Sequence, residues 1–259
     1  MARLGLDDAQ VRRDRQLDGI APADFSEALA RGVAVLRAFG EGERLTLADL
    51  ARRLGLPRAT VRRAVVTLVH LGYVAAEGRT FALTPRVLEL AATFLRANPV
   101  STILQPACER VAAELGEACA AAVLDGGDAV MIARAVPHQL LAVGHGVGYR
   151  VPALHSALGR VLLANLPESA LDARLAAVPE PERIRAAVAS AGARGWAYVA
   201  HEVEPGFHSV AVPVRRWDGS VIAALNIGCG VSRRDRESML GEVLDRLRST
   251  TDELREQLI

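Results

Sequence analysis

Lysine is absent from this 259-residue chain: all 31 basic side chains are arginine, against 30 acidic ones, for a net charge of +1. Genomic base composition accounts for that choice, so it carries no functional weight alone. Aromatic residues are scarce at 4%, yet 51% of the chain is apolar, which excludes global disorder and suffices for a core without staples. The three cysteines, Cys108, Cys119 and Cys229, have no CxxC spacing, which excludes a disulfide framework and a zinc finger. No apolar run reaches the roughly 18 residues that span a bilayer. Residues 1–24 carry Arg3, Asp7, Asp8, Arg12, Arg13, Asp14 and Arg15, unlike a secretory leader. A soluble cytoplasmic protein with no membrane partner is expected.

Catalytic signatures are missing as well. Ser156 and Ser209 do not sit in G-x-S-x-G elbows, and there is no HExxH. The six histidines (70, 138, 145, 155, 201 and 208) are too dispersed to suggest a metal trio. Gly144-His-Gly-Val-Gly148 lacks the lysine and the strand–helix context of a phosphate loop. The expectation is a protein that is not an enzyme and carries no cofactor and no metal.

What is present is a local excess of positive charge. Residues 44–86 hold eight arginines against Asp49 and Glu77 alone. A basic segment of that length in a near-neutral chain is the footprint of nucleic-acid contact. The hydrophobic pattern there is helical. Leu29, Val33, Leu36 and Phe39 form one apolar stripe, stopped by Gly40 and Gly42. Leu47, Leu50, Ala51 and Leu54 form a second, ended by Gly55. Val61, Ala64, Val65 and Leu68 form a third, opened by Pro57 and broken at Gly72. Two strand-like runs follow, Tyr73–Ala75 and Thr80–Leu83, around Glu77-Gly78.

Two short helices with a tight turn place the second in a major groove, and the hairpin after them reads as a wing. Arg58, Thr60, Arg62 and Arg63 are read as the exposed side of that second helix. Arg58 and Arg62 share a face at a spacing of four. They could pair with guanine or grip phosphate. Arg79 near the wing tip could reach a phosphate or the minor groove. Thr46 is read as a helix cap that also offers its hydroxyl to a phosphate.

Beyond a helix starting at Thr84-Pro85, Asn98-Pro99 marks a domain boundary. The second part mixes helices with strand-like runs at Ala120–Leu124, Val130–Ala135, Leu140–Val143, Ala197–His201, Ser209–Val214 and Val221–Ile227. Three helices are expected between His155 and Arg194, and a closing amphipathic helix from about Arg234. Hairpin-like joins favour an antiparallel α+β domain. The expected organisation is an arm over 1–24, a winged helix-turn-helix over 25–83, a linker helix over 84–98 and a second domain over 99–259.

Several segments carry a family resemblance. Leu29-Ala-Arg-Gly-Val-Ala-Val-Leu-Arg-Ala-Phe39, Leu45-Thr-Leu-Ala-Asp-Leu-Ala-Arg-Arg-Leu-Gly55 and Leu68-Val-His-Leu-Gly-Tyr-Val74 resemble IclR-type transcriptional regulators. So do Gly159-Arg-Val-Leu-Leu-Ala164, Gly206-Phe-His-Ser-Val-Ala-Val-Pro213 and Ala223-Ala-Leu-Asn-Ile227. Phe81-Ala-Leu-Thr-Pro-Arg-Val-Leu-Glu-Leu90 is similar to the PcaR- and PobR-like subgroup, which controls protocatechuate, 4-hydroxybenzoate and β-ketoadipate catabolism. The resemblance implies an α+β protein: a winged helix-turn-helix, a linker helix and a GAF-like effector-binding domain with an antiparallel sheet. It implies a homo-oligomer, a dimer or a dimer of dimers, that binds double-stranded operator DNA and answers to a small organic acid. A purely architectural DNA-binding protein is the alternative without a sensor.

Carried over position by position, the family's effector pocket falls on Leu140, Val143, Val151, Ala157, Leu158, Ser209, Asn226 and Gly228. Ser209 and Asn226 are independently notable as polar residues inside apolar strands, where a ligand or a core hydrogen bond would satisfy them. A helix beginning near His155-Ser156 offers free amides to an anion. His155, with Arg150 or Arg134, could add charge, although His155 also reads as a cap or surface histidine and Arg150 as a solvated loop residue. Two departures from the family matter. Leu158 replaces a small residue and would reshape the pocket. Ala200-His201-Glu202 stands where relatives carry an acidic cluster, so His201 belongs to a different ligand or to a surface strand.

Overall fold

The computed structural model describes residues 25–40, 43–97, 99–137, 146–176 and 178–258. The chain divides into two compact units, Met1–Phe94 and Leu95–Ile259.

In the first unit, helix α1 (Glu27–Arg37) begins at Ser26, whose Oγ accepts the Leu29 N–H at 3.4 Å. Its inward face keeps only the second half of the expected stripe, Leu36 and Phe39. Val35, Ala38 and Phe39 enter the core, whereas Leu29 is 69% exposed and Val33 45%. Strand β1 (Leu45–Thr46) leads into α2 (Leu47–Leu54), and Gly55 closes it in the left-handed region at φ 62°. After Pro57 comes α3 (Arg58–His70), with Val61, Val65 and Leu68 buried. These pack with Leu50, Leu54 and Val74 into one small core.

Strands β2 (Val74–Glu77) and β3 (Thr80–Leu83) pair with Glu77 opposite Thr80. That leaves a two-residue loop with Gly78 at φ 60°, the first-position glycine that a type II′ turn needs. β1 adds a third strand beside β3. Helix α4 (Val87–Ala97) starts three residues after the expected Thr84. Thr84 is held back because its N–H donates to the Tyr73 carbonyl and its hydroxyl to the Gly72 carbonyl.

The second unit opens with α5 (Pro99–Leu115) and builds a six-stranded antiparallel sheet in the order β6-β5-β4-β9-β8-β7. Its strands are β4 (Ala118–Asp125), β5 (Asp128–Ala135), β6 (Arg150–Pro152), β7 (Ala197–Ala200), β8 (Phe207–Arg215) and β9 (Val221–Gly230). The expected strand over Leu140–Val143 lies outside the described residues.

Side chains alternate across the sheet. Cys119, Ala121, Val210, Val212, Leu225 and Ile227 face α5 and the C-terminal helix. Ala122, Ala211 and Ala224 face α6 (Ala157–Leu163) and α8 (Pro181–Arg194), with α7 (Glu168–Leu175) between these two helices in sequence. The closing segment is a one-turn helix Arg236–Ser238, a π-helical stretch Met239–Val243 and α9 (Leu244–Arg255), rather than one uninterrupted helix. Gly159 in α6 is required: a Cβ there would lie 2.2 Å from Ala153 Cα and from its carbonyl oxygen.

Candidate functional site

The basic segment resolves into two sets of arginines. Arg44 pairs with Glu77, Arg52 with Asp49 at 2.5 Å, Arg53 with Glu43 at 2.5 Å and Arg86 with Glu89 at 3.6 Å. Arg58, Arg62, Arg63 and Arg79 are exposed, and among the described residues none of them has an ion-pair partner. The unneutralised charge is thus confined to α3 and the wing turn. A helix advances about 100° per residue, so Arg58 and Arg62 lie on one flank, and Thr60 is roughly 160° round from Arg62. Thr60 therefore does not share their face. It is half-buried and, with Arg63, lines a groove between α3 and α1.

Thr46 is a cap, as expected, but its hydroxyl proton is already committed. Its Oγ1 donates to Asp49 Oδ2 at 2.7 Å and accepts the Asp49 N–H at 3.2 Å, and its own N–H donates to the same carboxylate at 3.1 Å. This reciprocal box, with Arg52 also on Asp49, holds that carboxyl below the usual range.

In the second unit, a cavity of about 160 Å³ opens between the sheet and α6. Its floor follows from the strand register: Ala118 lies opposite Gly228, Ala120 opposite Asn226, and Ser209 opposite Gly228 on the other side. Small residues there leave room that the opposite face of the sheet does not have. Val151, Ser156 and Leu158 form further walls, joined by Met131, Tyr149, Val203, Glu204 and Phe207. Arg134, paired across from Ala120 on β5, also lines the space. Its Nη1 is buried and has no hydrogen-bond partner among the described residues. Burial pulls the Arg134 guanidinium below its usual pKa, and nearby Tyr149 opposes that. Burial and Glu204 push the Tyr149 phenol up, and Arg134 opposes them. The cavity thus combines a mostly apolar lining with one partly desolvated cation, Arg134, and one carboxylate, Glu204.

Residues 28–78 match the IclR helix-turn-helix domain, and residues 92–255 the bacterial transcriptional regulator IclR C-terminal domain. The chain belongs to the IclR family. Like other IclR proteins it is a DNA-binding transcriptional regulator, not an enzyme. It is 38% identical to the Pca regulon regulatory protein of Pseudomonas putida, across 91% of this chain and 85% of that one. It is 29% identical to the p-hydroxybenzoate hydroxylase transcriptional activator of Acinetobacter baylyi, across 91% and 93%. The crystal structure of an IclR homologue from Microbacterium hydrocarbonoxydans complexed with 4-hydroxybenzoate superposes with a TM-score of 0.74 at 27% identity, covering 90% of this chain and 99% of that one.

Within this IclR fold the positions carried over from the resemblance divide. Val151, Leu158, Ser209, Asn226 and Gly228 are brought together around the cavity. Gly228 sits beneath Phe207, since a Cβ there would come 2.5 Å from the ring. Ala157 is fully buried in the packing between α6 and the sheet instead. Leu140 and Val143 lie outside the described residues.

Arg150 is turned away to the β4–β5 corner, where it binds Asp125 at 2.7 Å and Asp128 at 3.1 Å. His155 faces Glu202 at 3.4 Å, and Glu202 in turn holds Arg160 at 2.6 Å. The helix start expected to bind an anion is only seven residues long, and Ser156 caps it by accepting the Gly159 N–H at 3.2 Å. His201 is neither in a strand nor at the cavity: it adopts φ 63° and its Nδ1 accepts the Gly206 N–H at 3.0 Å.

Among the described residues no helix is long and apolar enough to cross a membrane, and no cluster of His, Cys, Asp or Glu could hold a metal. Residues such as Met131 and Tyr149 were not anticipated. Their signal is the β5–β6 register, which sequence does not reveal. Sequence reasoning assigned Arg150 to the site, whereas the cavity is lined by Arg134.

Proposed function

We propose that this IclR regulator senses a single-ring aromatic acid in the cavity beside α6 and answers by changing its hold on operator DNA. The observation that carries this is Arg134: a buried guanidinium nitrogen with no hydrogen-bond partner among the described residues, at a mostly apolar cavity whose one lining carboxylate is Glu204. A carboxylate would complete it with charge-assisted hydrogen bonds. The volume suits the ring, because apolar cavities of about 150 Å³ accept benzene. Ser209 and Asn226 supply polar contacts for ring hydroxyls, and Val151, Leu158 and Gly228 the apolar walls. The names of the relatives, one regulating p-hydroxybenzoate hydroxylase and another bound to 4-hydroxybenzoate, support the same class.

On the DNA side, Arg58 and Arg62 enter the major groove from the first turns of α3, Arg63 grips the flanking backbone and Arg79 reaches a phosphate from the wing. Double-stranded operator DNA is read by a homo-oligomer with two heads. Exposed Leu29, Val33, Leu71, Leu90 and Phe94 give the first unit the apolar surface that a second copy would cover. Coupling requires that the acid bind the two head arrangements unequally.

Fluorescence anisotropy on duplex DNA from the upstream region, with titrations of 4-hydroxybenzoate, protocatechuate, β-ketoadipate and cis,cis-muconate, tests the reading. Arg58→Ala with Arg62→Ala should weaken DNA binding by about tenfold or more and leave acid affinity intact, whereas Ser209→Leu should do the reverse. Equal loss of both activities in either variant would refute the two-module assignment.

A further inference from the structure

A second pocket, of about 290 Å³, lies away from the aromatic-acid cavity. It is bounded by the end of α8, by β8 and by the last turns of α9. Four arginines line it: Arg194, Arg215, Arg248 and Arg255, with Asp252 the single acidic side chain in the lining. None of the four forms an ion pair among the described residues. Elsewhere in this unit Arg150, Arg160, Arg185, Arg233, Arg234 and Arg246 are bound to carboxylates, whereas these four gather on one space without one.

Two of the four are held in place by neutral groups. Arg194 stacks over the Trp196 ring at 4.5 Å and donates to the Ser190 carbonyl at 3.2 Å. Arg215 donates to the Gly219 carbonyl at 2.9 Å. These contacts orient guanidinium groups without neutralising them. Helix C-termini favour cations, which accounts singly for Arg194 and Arg255 in the last turns of α8 and α9. It does not account for Arg215, on a strand, and Arg248, nearly two turns earlier, opening on the same space.

The fold keeps this pocket uncovered. Strand β7 begins opposite Ala211, so the edge of β8 at Pro213 has no strand beside it on that side. Proline cannot donate to a ladder, so it is suited to such an edge.

We propose that this pocket is a second anion site, for a small ligand carrying two linked phosphate groups. One carboxylate would leave most of the charge unmatched. Planar guanidinium groups instead pair bidentately with phosphate oxygens, and a cleft lined by one sign of charge concentrates such ligands. A compact pocket suits a diphosphate better than a duplex, whose charges recur about every 1.7 Å along an extended axis and call for a stripe.

The test is isothermal titration of the full-length protein with inorganic pyrophosphate and with orthophosphate at fixed ionic strength. Pyrophosphate should bind at one site per chain and about tenfold more tightly than orthophosphate. Arg248→Ala with Arg255→Ala, both exposed and outside the core, should weaken it by at least about tenfold. Arg58→Ala with Arg62→Ala should leave it unchanged, separating this pocket from the DNA-facing arginines. Circular dichroism of each variant excludes misfolding, and a misfolded double variant is replaced by Arg194→Gln. The proposal is overturned by absence of saturable binding, by full binding in the Arg248/Arg255 variant, or by loss in that variant of duplex DNA affinity instead of pyrophosphate affinity.

Discussion

The two faces of the six-stranded sheet are built from alternate residues of the same strands, and they do opposite things. Towards α5 and α9 the positions are Cys119, Ala121, Val210, Val212, Leu225 and Ile227, all fully or almost fully buried. Towards α6 their immediate neighbours are Ala118, Ala120, Ser209, Asn226 and Gly228, and a cavity remains. One face is therefore a core that sets stability, and the other a floor whose small and polar residues leave space for a ligand. Because the strand period is two, stability and recognition are separated by a single step along the chain.

Neighbouring substitutions should break or confirm that division. Leu225→Ala, on the filled face, should destabilise by about 2–5 kcal/mol in urea unfolding, since surrounding side chains relax only partly into the space left. Asn226→Leu, one residue on, should cost under about 1.5 kcal/mol, because it expands into an existing cavity. The same change should abolish measurable binding of 4-hydroxybenzoate by calorimetry. Similar stability losses for both would mean that the α6 face is as tightly filled as its reverse.

A smaller effect sharpens the picture of the filled face. His208 is almost fully buried there, its Nδ1 2.9 Å from the Tyr198 hydroxyl and its Nε2 3.3 Å from Cys229 Sγ. Burial first, then the nearby His201, hold the imidazole below its ordinary value of 6.5, while Glu117 and Asp235 oppose the shift. Burial likewise pushes the Cys229 thiol up to about 11, so it stays protonated at neutral pH. The unfolded chain therefore takes up a proton as pH drops below about 6.5, before the folded one does. Stability from this group is complete above that pH and declines below it until the lower folded value is passed, by at most about 1.4 kcal/mol per pH unit. Unfolding free energies at several pH values should fall more steeply for the native protein than for His208→Gln. Parallel curves would remove His208 from the acid response.

The helices of the first unit were legible because caps and turn residues punctuate them: Thr46 with Asp49, Gly55, Pro57 and Gly72 each act within a few residues of where they stand. The inward face of α1 was not. The helix and the two residues after it carry the expected stripe Leu29, Val33, Leu36 and Phe39 and, beside it, Val35 and Ala38. Periodicity cannot rank them, and packing against α2 and α3 takes Val35, Ala38 and Phe39 while leaving Leu29 and Val33 exposed. Likewise, Ser209 and Asn226 stood out as polar residues in apolar strands. The separation of Arg134 from Arg150 depended on which corner of the sheet Asp125 and Asp128 occupy. Local chemistry is written in the sequence, whereas long-range neighbours are settled by register.

The close approach of Gly159 to Ala153 has a consequence for how this regulator can diversify. With backbone atoms only 2.2 Å from where a side chain would begin, any larger residue at 159 would push α6 off the turn before it. The seating of the chamber's ceiling therefore depends on that glycine. With Gly159 kept, exchanges at Ala118, Ala120 or Ser209 on the floor, or at Leu158, change the space open to a ligand. A library restricted to those positions would explore different ligand sizes while leaving the vertical dimension of the chamber constant.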